Sequence, residues 1–286
     1  MAAQLVWDQF NADVGEVRPL PTAATTSYVF RVGAGLLARF PMHSGDAAAY
    51  RRELALEGAA MREFAEGSSF PAPRMLFIGR PTDAYPMPWS VQTWIPGEVV
   101  TPDSAASSSL IARDLAVLVG ELRSVSVRGR SFAGTGRGGE LRRHDAWVAH
   151  CLVQSDSLLP TERLRDLWER LRATPRAEPD VMSHKDLIPF NLLAGDGLRG
   201  VLDTGGFGPA DPALDLVVGW HVLDAERRDE FRERVGPSET EWQRSIAWAL
   251  QQALGLVWYY ATTNPAMSAL GRSTIERILA AEETGA

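Results

Sequence analysis

At 286 residues the chain has the length of two modest domains or of two lobes sharing an interface; 45% hydrophobic and 23% charged residues exclude a disordered chain. A formal charge of −7 supplies no basic face, which argues against a nucleic-acid partner and is compatible with a cationic one. The single cysteine, Cys151, excludes an internal disulfide and fits a reducing cytoplasm, and its neighbours Val148 and Leu152 make it a packing residue.

In chain order, MAAQLVWDQF has no basic segment followed by an apolar run, so no signal peptide is expected. No later run approaches the ~18 apolar residues that span a bilayer, so no membrane partner is expected either. SYVFRV (Ser27 to Val32) and GLLARF (Gly35 to Phe40) are apolar-rich runs joined at Gly33-Ala34, a hairpin signature. Tyr50, Leu54, Gly58, Met61 and Ala65 recur every three to four residues and predict a helix. RMLFIG (Arg74 to Gly79) and WSVQTWI (Trp89 to Ile95) predict two more strands, and Pro96-Gly97-Glu98 stops the sheet. The first hundred residues therefore form a mostly antiparallel sheet carrying one helix.

Beyond Thr101 helices dominate. Ile111, Leu115, Leu118 and Leu122 form one stripe, with Asp103 or Ser104 available as N-cap, and Leu164, Leu167, Trp168 and Leu171 form another. RSFAGTGRGGELRR (Arg130 to Arg143) is glycine-rich, but no apolar strand precedes it, so it reads as a flexible surface loop rather than a phosphate loop. Trp242, Ile246, Ala249, Ala253, Leu256 and Tyr260 mark a long late helix, with Ser238 to Glu241 as a capping box.

Between these helices lies MSHKDLIPFNLLAGDGLRGVLDTGGFGPADPALDL, Met182 to Leu216. NLLAGDGLRGVLD reads as a hairpin, two apolar runs joined at Gly195-Asp196-Gly197, which predicts that Asn191 and Asp203 are neighbours at its open end. An amide oxygen and a carboxylate placed together suit a hard cation such as Mg2+. Asp186, on the incoming loop, can face the same spot and accept a proton from an alcohol nucleophile. A base, two metal ligands and little else is what phosphoryl transfer needs, since that chemistry is mostly positioning and charge neutralisation.

SHKDLIPFNLL followed by GVLDTGGFGPADPALDL resembles the signature of the aminoglycoside and macrolide phosphotransferases, in which His-Gly-Asp, four residues and Asn precede Ile-Asp-Phe-Gly and Asp-Pro-x-x-Asp-Leu. YPMPWSVQTWIPGE is similar to the family's hinge strand, and GLLARFP to the strand carrying its nucleotide-binding cation. WALQQALGLVWYYATTNPAMSALGRSTIERIL is similar to the closing helices of actinobacterial members. The resemblance implies an α+β, two-lobed protein-kinase-like fold, with a small antiparallel-sheet N-lobe over residues 1–96 and a larger helical C-lobe over 97–286. It implies a cytoplasmic monomer or homodimer that moves the γ-phosphoryl of ATP or GTP, with Mg2+, to a hydroxyl of an aminoglycoside or macrolide antibiotic. A kinase for an amino alcohol or a sugar, or a non-catalytic nucleotide-binding relative, are the alternatives.

Carried over residue by residue, Asp186 matches the catalytic base, and Asn191 and Asp203 match the metal ligands. Arg39 stands where many members have the lysine that grips the nucleotide phosphates. Glu57 matches the helix carboxylate that pairs with that cation, with Glu53 as runner-up. Gln92, Thr93, Trp94 and Ile95 would be the hinge that meets the purine. Thr22 to Phe30, including Thr25 and Ser27, would be the loop above the phosphates, although it has no glycine between Thr22 and Tyr28. Lys185 replaces the usual glycine, Thr204 the usual phenylalanine, and Arg39 keeps the lysine's charge with a bidentate fork.

His184 is expected to hold the loop by hydrogen bonds, Asp211 to cap a helix beginning near Pro212, and Asp215 to brace the catalytic loop. Lys185 either touches the γ-phosphate or faces solvent. Trp220 or Tyr259 is expected to line the acceptor pocket. From Ala210 to Ala286 there are 12 acidic and 7 basic residues, a bias that favours an amine-bearing small-molecule acceptor.

Overall fold

The structure is a computed structural model and describes residues 1–11, 14–20, 26–176 and 178–284. The chain divides into two compact units, the first comprising Met1–Glu66, Phe70–Pro96 and Gly200–Gly206, the second Gly67–Ser69, Gly97–Arg199 and Phe207–Ala286.

In the first unit, α1 (Ala2–Gln9) and β1 (Val17–Pro19) precede the β2 (Ser27–Val32) and β3 (Leu36–Pro41) hairpin, α2 (Ala47–Gly67), β4 (Met75–Gly79) and β5 (Trp89–Thr93). The strands make one antiparallel sheet in the order β1-β2-β3-β5-β4. Gly33 turns the β2–β3 hairpin at φ 52°, and a Cβ there would lie 2.3 Å from the Val14 carbonyl oxygen, so both conformation and space require glycine. The strand β5 is flanked on both sides by partners, and four of its five residues are buried, the polar Ser90 and Gln92 among them. Phe40 stacks on Trp89 with ring centroids 4.9 Å apart, and Leu5 and Val6 of α1 close this core. α1 and β1 were not legible as elements, because an eight-residue helix and a three-residue strand are too short to show a period.

The second unit holds β6 (Glu98–Val99), α3 (Ser109–Ser124), α4 (Asp145–Gln154), α5 (Thr161–Leu171), β7 (Val181–Ser183), β8 (Leu192–Ala194), β9 (Leu198–Val201, whose last two residues count with the first unit) and β10 (Gly208–Ala210), then α6 (Val217–Val222), α7 (Ala225–Val235), α8 (Glu239–Tyr259) and α9 (Pro265–Thr284). The expected β8–β9 hairpin forms, with the Gly195 N–H donating to the Gly197 carbonyl at 2.9 Å, and β6 adds to its β8 edge. All four residues of the α3 stripe are buried. Its N-cap is Ser108 rather than Asp103 or Ser104, because Ser104 is engaged in a turn with the Thr101 N–H, while the Ser108 hydroxyl accepts from the Ile111 N–H at 3.3 Å. At α8 only half of the capping box exists. Ser238 accepts from the Glu241 N–H, but the Glu241 carboxylate turns to Arg123 instead. Fifteen α8 residues are buried, so this helix is the axis about which the unit packs.

Candidate active site

The loop from β7 to β8 carries the densest polar sequence, and its shape follows from one buried carboxylate. Asp215, 4% exposed, accepts from the Ser183 hydroxyl (2.8 Å), the His184 N–H (2.9 Å) and the Lys185 N–H (3.2 Å). His184 is buried and accepts from the Asp186 N–H through Nδ1 at 3.3 Å, so both expected bracing roles are seen. Lys185 has φ 71°, the left-handed region, which accounts for the glycine expected at this position. The three backbone and side-chain bonds around it hold the strained conformation in place. Lys185 is half-buried rather than solvent-facing, and burial lowers its pKa.

The Asp186 side chain is held from three directions. One oxygen accepts from Arg137 at 2.7 Å and from Gln252 Nε2 at 2.9 Å; the other accepts from Asn191 Nδ2 at 3.2 Å. Asn191 Nδ2 also donates to the Asp186 carbonyl at 2.9 Å, which commits the amide nitrogen and leaves Oδ1 as the atom a cation could use. Because a carboxylate only accepts, Gln252 must turn its nitrogen to Asp186 and its Oε1 to His221 Nε2, 3.0 Å away. His221 therefore carries its proton on Nε2, and its Nδ1 lies 2.8 Å from the Thr274 hydroxyl, which donates to the Leu270 carbonyl. Burial pushes the His221 pKa down to about 4. The unfolded chain binds this proton at pH 6.5 and the folded one does not, so stability is present above 6.5 and is lost as pH falls toward 4. In denaturant titrations this should read as a loss on the order of 1.4 kcal/mol per pH unit across that window, absent in His221→Asn.

Arg137 and Gln252 were not singled out by sequence. Arg137 sits in the glycine-rich stretch expected to be a flexible surface loop; instead that stretch is tied down. The Gly138 carbonyl accepts from the Asp211 N–H at 2.8 Å, and Gly138, at φ 111°, passes so close to Ala210 that a Cβ would lie 2.8 Å from the alanine's own. The available signal was Gln251-Gln252 inside an otherwise apolar helix, where an amide needs a partner. Asp211 also departs from expectation. No helix starts at Pro212: the carboxylate caps a turn through the Ala213 N–H (3.0 Å) and binds Arg244 and Trp248, and α6 begins only at Val217.

A cavity of about 610 Å³ opens beside Asp186 and is lined also by Arg137, Trp147, Gln251, Gln252 and Tyr259. Tyr259 is part of this wall; Trp220 is not. Trp220 is buried in the core, its indole N–H on Ser245 and its ring under Arg228 at 4.3 Å.

The first unit has its own cavity, about 470 Å³, lined by Ser27, Arg39, Tyr50, Glu53, Glu57 and Ser90 among others. The Arg39 guanidinium pairs with Asp203 at 4.0 Å. Glu57 makes no ion pair with it among the described residues. Burial raises the Glu57 carboxyl pKa, and the nearby Arg39 charge offsets only part of that. Asp203 itself has φ 57° and an exposed side chain. Thr204 is buried, in keeping with a change of packing at that position. In the segment expected to be the hinge, Gln92 is buried in β5, the Thr93 N–H donates to the Arg74 carbonyl (3.0 Å) and the Trp94 N–H to the Gly35 carbonyl (2.8 Å), while the Trp94 ring lies under Arg31. Those two amides are engaged within the unit. Thr25, with the segment from residue 21, lies outside the described residues. Asn191 belongs to the second unit and Asp203 to the first. Among the described residues no group of three or more His, Cys, Asp or Glu side chains could hold a metal, and no helix is long and apolar enough to cross a membrane.

A model of the phosphotransferase enzyme family matches residues 16–248, most of the chain. The chain belongs to the phosphotransferase enzyme family. Members of this family transfer phosphoryl groups, and the chain is accordingly a phosphotransferase. Its fold is the two-lobed, protein-kinase-like α+β fold, as the similar solved structures show. The GDP complex of aminoglycoside 2'-phosphotransferase-IIIa is 17% identical, with 97% of each chain covered and a TM-score of 0.71. The ADP-bound aminoglycoside phosphotransferase APH(2'')-Ib is 16% identical, covering 93% of this chain and 95% of its own, at 0.61. The macrolide 2'-phosphotransferase apoenzyme from Brachybacterium faecium is 18% identical over 91% of each chain, at 0.60. No curated protein matches the chain in sequence.

Proposed function

We propose that this phosphotransferase moves the γ-phosphoryl of ATP or GTP to a hydroxyl of a small molecule, an antibiotic of the aminoglycoside or macrolide type, with Asp186 as the group that receives the hydroxyl proton. The observation that carries the reading is the Asp186 carboxylate, oriented by Arg137, Gln252 and Asn191 and set in the wall of a cavity large enough for an organic acceptor. A base needs that combination of fixed direction and access to the reacting hydroxyl. Nucleotide complexes among the similar structures support a nucleotide donor. Arg39 and Ser27 line the first-unit cavity and supply a cation and a hydroxyl for phosphates, with Ile95 left to meet the purine.

Asn191 Oδ1 in the second unit and the Asp203 carboxylate in the first are each a hard oxygen donor of the sort magnesium takes, and Mg2+ would neutralise phosphate charge when bound. Asp203→Asn is expected to raise the Mg2+ concentration for half-maximal rate by at least about tenfold. An unchanged magnesium requirement would remove Asp203 from the metal site. The function itself is tested by offering aminoglycosides, macrolides, amino alcohols and sugars with γ-labelled ATP and GTP. Label transfer to amino alcohols or sugars alone would replace the antibiotic reading with a metabolite kinase.

A further inference from the structure

His221 is fully buried and is not among the residues that line the cavity beside Asp186. A buried imidazole is costly unless its ring nitrogens find hydrogen-bond partners. Those of His221 come from two other helices: Gln252 of α8 lies 3.0 Å from Nε2, and Thr274 of α9 lies 2.8 Å from Nδ1. Gln252 in turn reaches Asp186 with its amide nitrogen at 2.9 Å. The helices α6, α8 and α9 thus meet in one line of hydrogen bonds that ends on the carboxylate. Of the three side chains that donate to that carboxylate, Gln252 alone is buried. Arg137 and Asn191 are partly exposed and can trade their bonds for water.

The two ends of a glutamine amide have nearly the same shape and opposite polarity. Turned one way, Gln252 gives Asp186 a donor; turned the other, it sets an amide oxygen against a carboxylate. Shape does not separate the two, so hydrogen bonds at the far end of the amide must. A ring protonated at Nε2 donates to Gln252 Oε1 and holds the favourable orientation. A ring protonated at Nδ1 would accept at Nε2 and draw the amide nitrogen away from Asp186. Burial, with the charges of Arg137 and Arg277 nearby, keeps the ring neutral, so it has one proton to place. The Thr274 end suits either tautomer. Its hydroxyl can accept from Nδ1 while donating to the Leu270 carbonyl at 2.8 Å. It can also turn its proton to Nδ1 and leave that carbonyl to the Ser273 hydroxyl, 3.2 Å away. The carboxylate end accepts only one of them.

We infer that His221 is a positioning residue for phosphoryl transfer: protonated at Nε2, it holds Gln252 Oε1 and so keeps the Gln252 amide nitrogen on Asp186. This role rests on the proposed transfer at Asp186. His221 has no contact with the cavity through which it could act on an acceptor directly, so its effect falls on the rate of the bound complex. A base whose oxygens drift from the reacting hydroxyl loses rate steeply, because the reactive geometry is populated less often.

Ring-nitrogen NMR of histidine-labelled protein at neutral pH reads the tautomer directly, with the His221 signals assigned by their loss in His221→Gln. A protonated Nε2 and a bare Nδ1 are expected. Turnover is followed as transfer of label from γ-labelled ATP and GTP to an aminoglycoside, a macrolide, an amino alcohol and a sugar. His221→Phe keeps a flat ring and removes both nitrogens; it should lower kcat about tenfold or more and move the acceptor KM less than about twofold. His221→Gln can place an amide N–H where Nε2 stood and should recover most of that loss, a rescue that packing alone would not give. Gln252→Met should lower kcat as well. Adding His221→Phe to it should cost under about twofold more, since His221 acts through Gln252. Full additivity of the two losses, or wild-type kcat in His221→Phe, would overturn the inference. Should His221→Phe fail to fold, the wild-type spectrum and the His221→Gln rate still test it. Transfer by a protein whose His221 ring is protonated at Nδ1 would overturn the positioning role alone. Transfer to none of the four acceptors would overturn the proposed reaction, and the positioning role with it, even with the proton on Nε2.

Discussion

Asp186→Asn lowers kcat by about 10²- to 10⁴-fold while the protein still folds and binds nucleotide; this is the expected result if Asp186 receives the hydroxyl proton. Asparagine keeps the size of the side chain, and its oxygen can still accept from Arg137 and Gln252, but it has no basic oxygen to offer. The second position would bring an amide nitrogen toward Asn191 Nδ2, where the wild-type separation is 3.2 Å, so two donors would face each other. A thermal melt beside the rate measurement separates that local cost from the chemical one. Single-turnover transfer at saturating acceptor is the appropriate readout. Wild-type rates in Asp186→Asn would end the assignment of the base. The Arg137 pair adds a second expectation of the same experiment. A guanidinium 2.7 Å from the base competes with the incoming hydroxyl for the same oxygen, so Arg137→Gln should change the size of kcat.

Asp211→Ala should destabilise the fold by about 3–5 kcal/mol, a large share of the ~5–15 kcal/mol that holds a typical domain. Asp211 and Arg244 have side chains only 1% and 3% exposed, and they form a direct ion pair. The carboxylate also accepts from the Arg244 Nε (2.9 Å), the Trp248 indole N–H (2.9 Å) and the Ala213 N–H (3.0 Å). Removing it strands a buried guanidinium, an indole N–H and a backbone N–H at once, and the unpaired charge dominates. Arg244 keeps bonds to the Thr174 and Gly139 carbonyls, which are neutral and do not replace an anion. Adding Arg244→Met to Asp211→Ala should recover part of the loss, because it removes the stranded charge. Urea titrations of the two variants provide the measurement. A loss under about 1 kcal/mol in Asp211→Ala would mean the pair is dispensable. The same site governs the active-site loop, since the Asp211 N–H holds Gly138, next to Arg137.

The elements that were legible share one property: their signal lies within a turn or two of chain. The α3 stripe, the α2 stripe, the β2–β3 hairpin and the β8–β9 hairpin each follow from spacing over fewer than about twenty residues. The misreadings occurred where neighbouring residues offered equal local choices. Ser104 and Ser108 are both good caps, and only the turn at Thr101 takes the first out of contention. Asp211 before a proline looks like a helix cap until Arg244, on a helix 33 residues away, claims the carboxylate. The glycine-rich stretch looked free because nothing local shows Asp180 accepting from the Phe132 N–H, or Arg137 reaching Asp186.

By itself the sequence determined the two kinds of unit, the loop from His184 to Asn191 and the residue types that phosphoryl transfer requires, because periodicity and short spacings constrain the backbone directly. Tertiary structure alone decided what surrounds Asp186. Arg137 is 49 residues before it and Gln252 is 66 residues after it, and no local rule connects such positions. It decided equally that the wall of the second-unit cavity is largely apolar and aromatic rather than acidic. A helix places only one face toward a cavity, and which charges remain on the other face depends on how α8 packs among its neighbours.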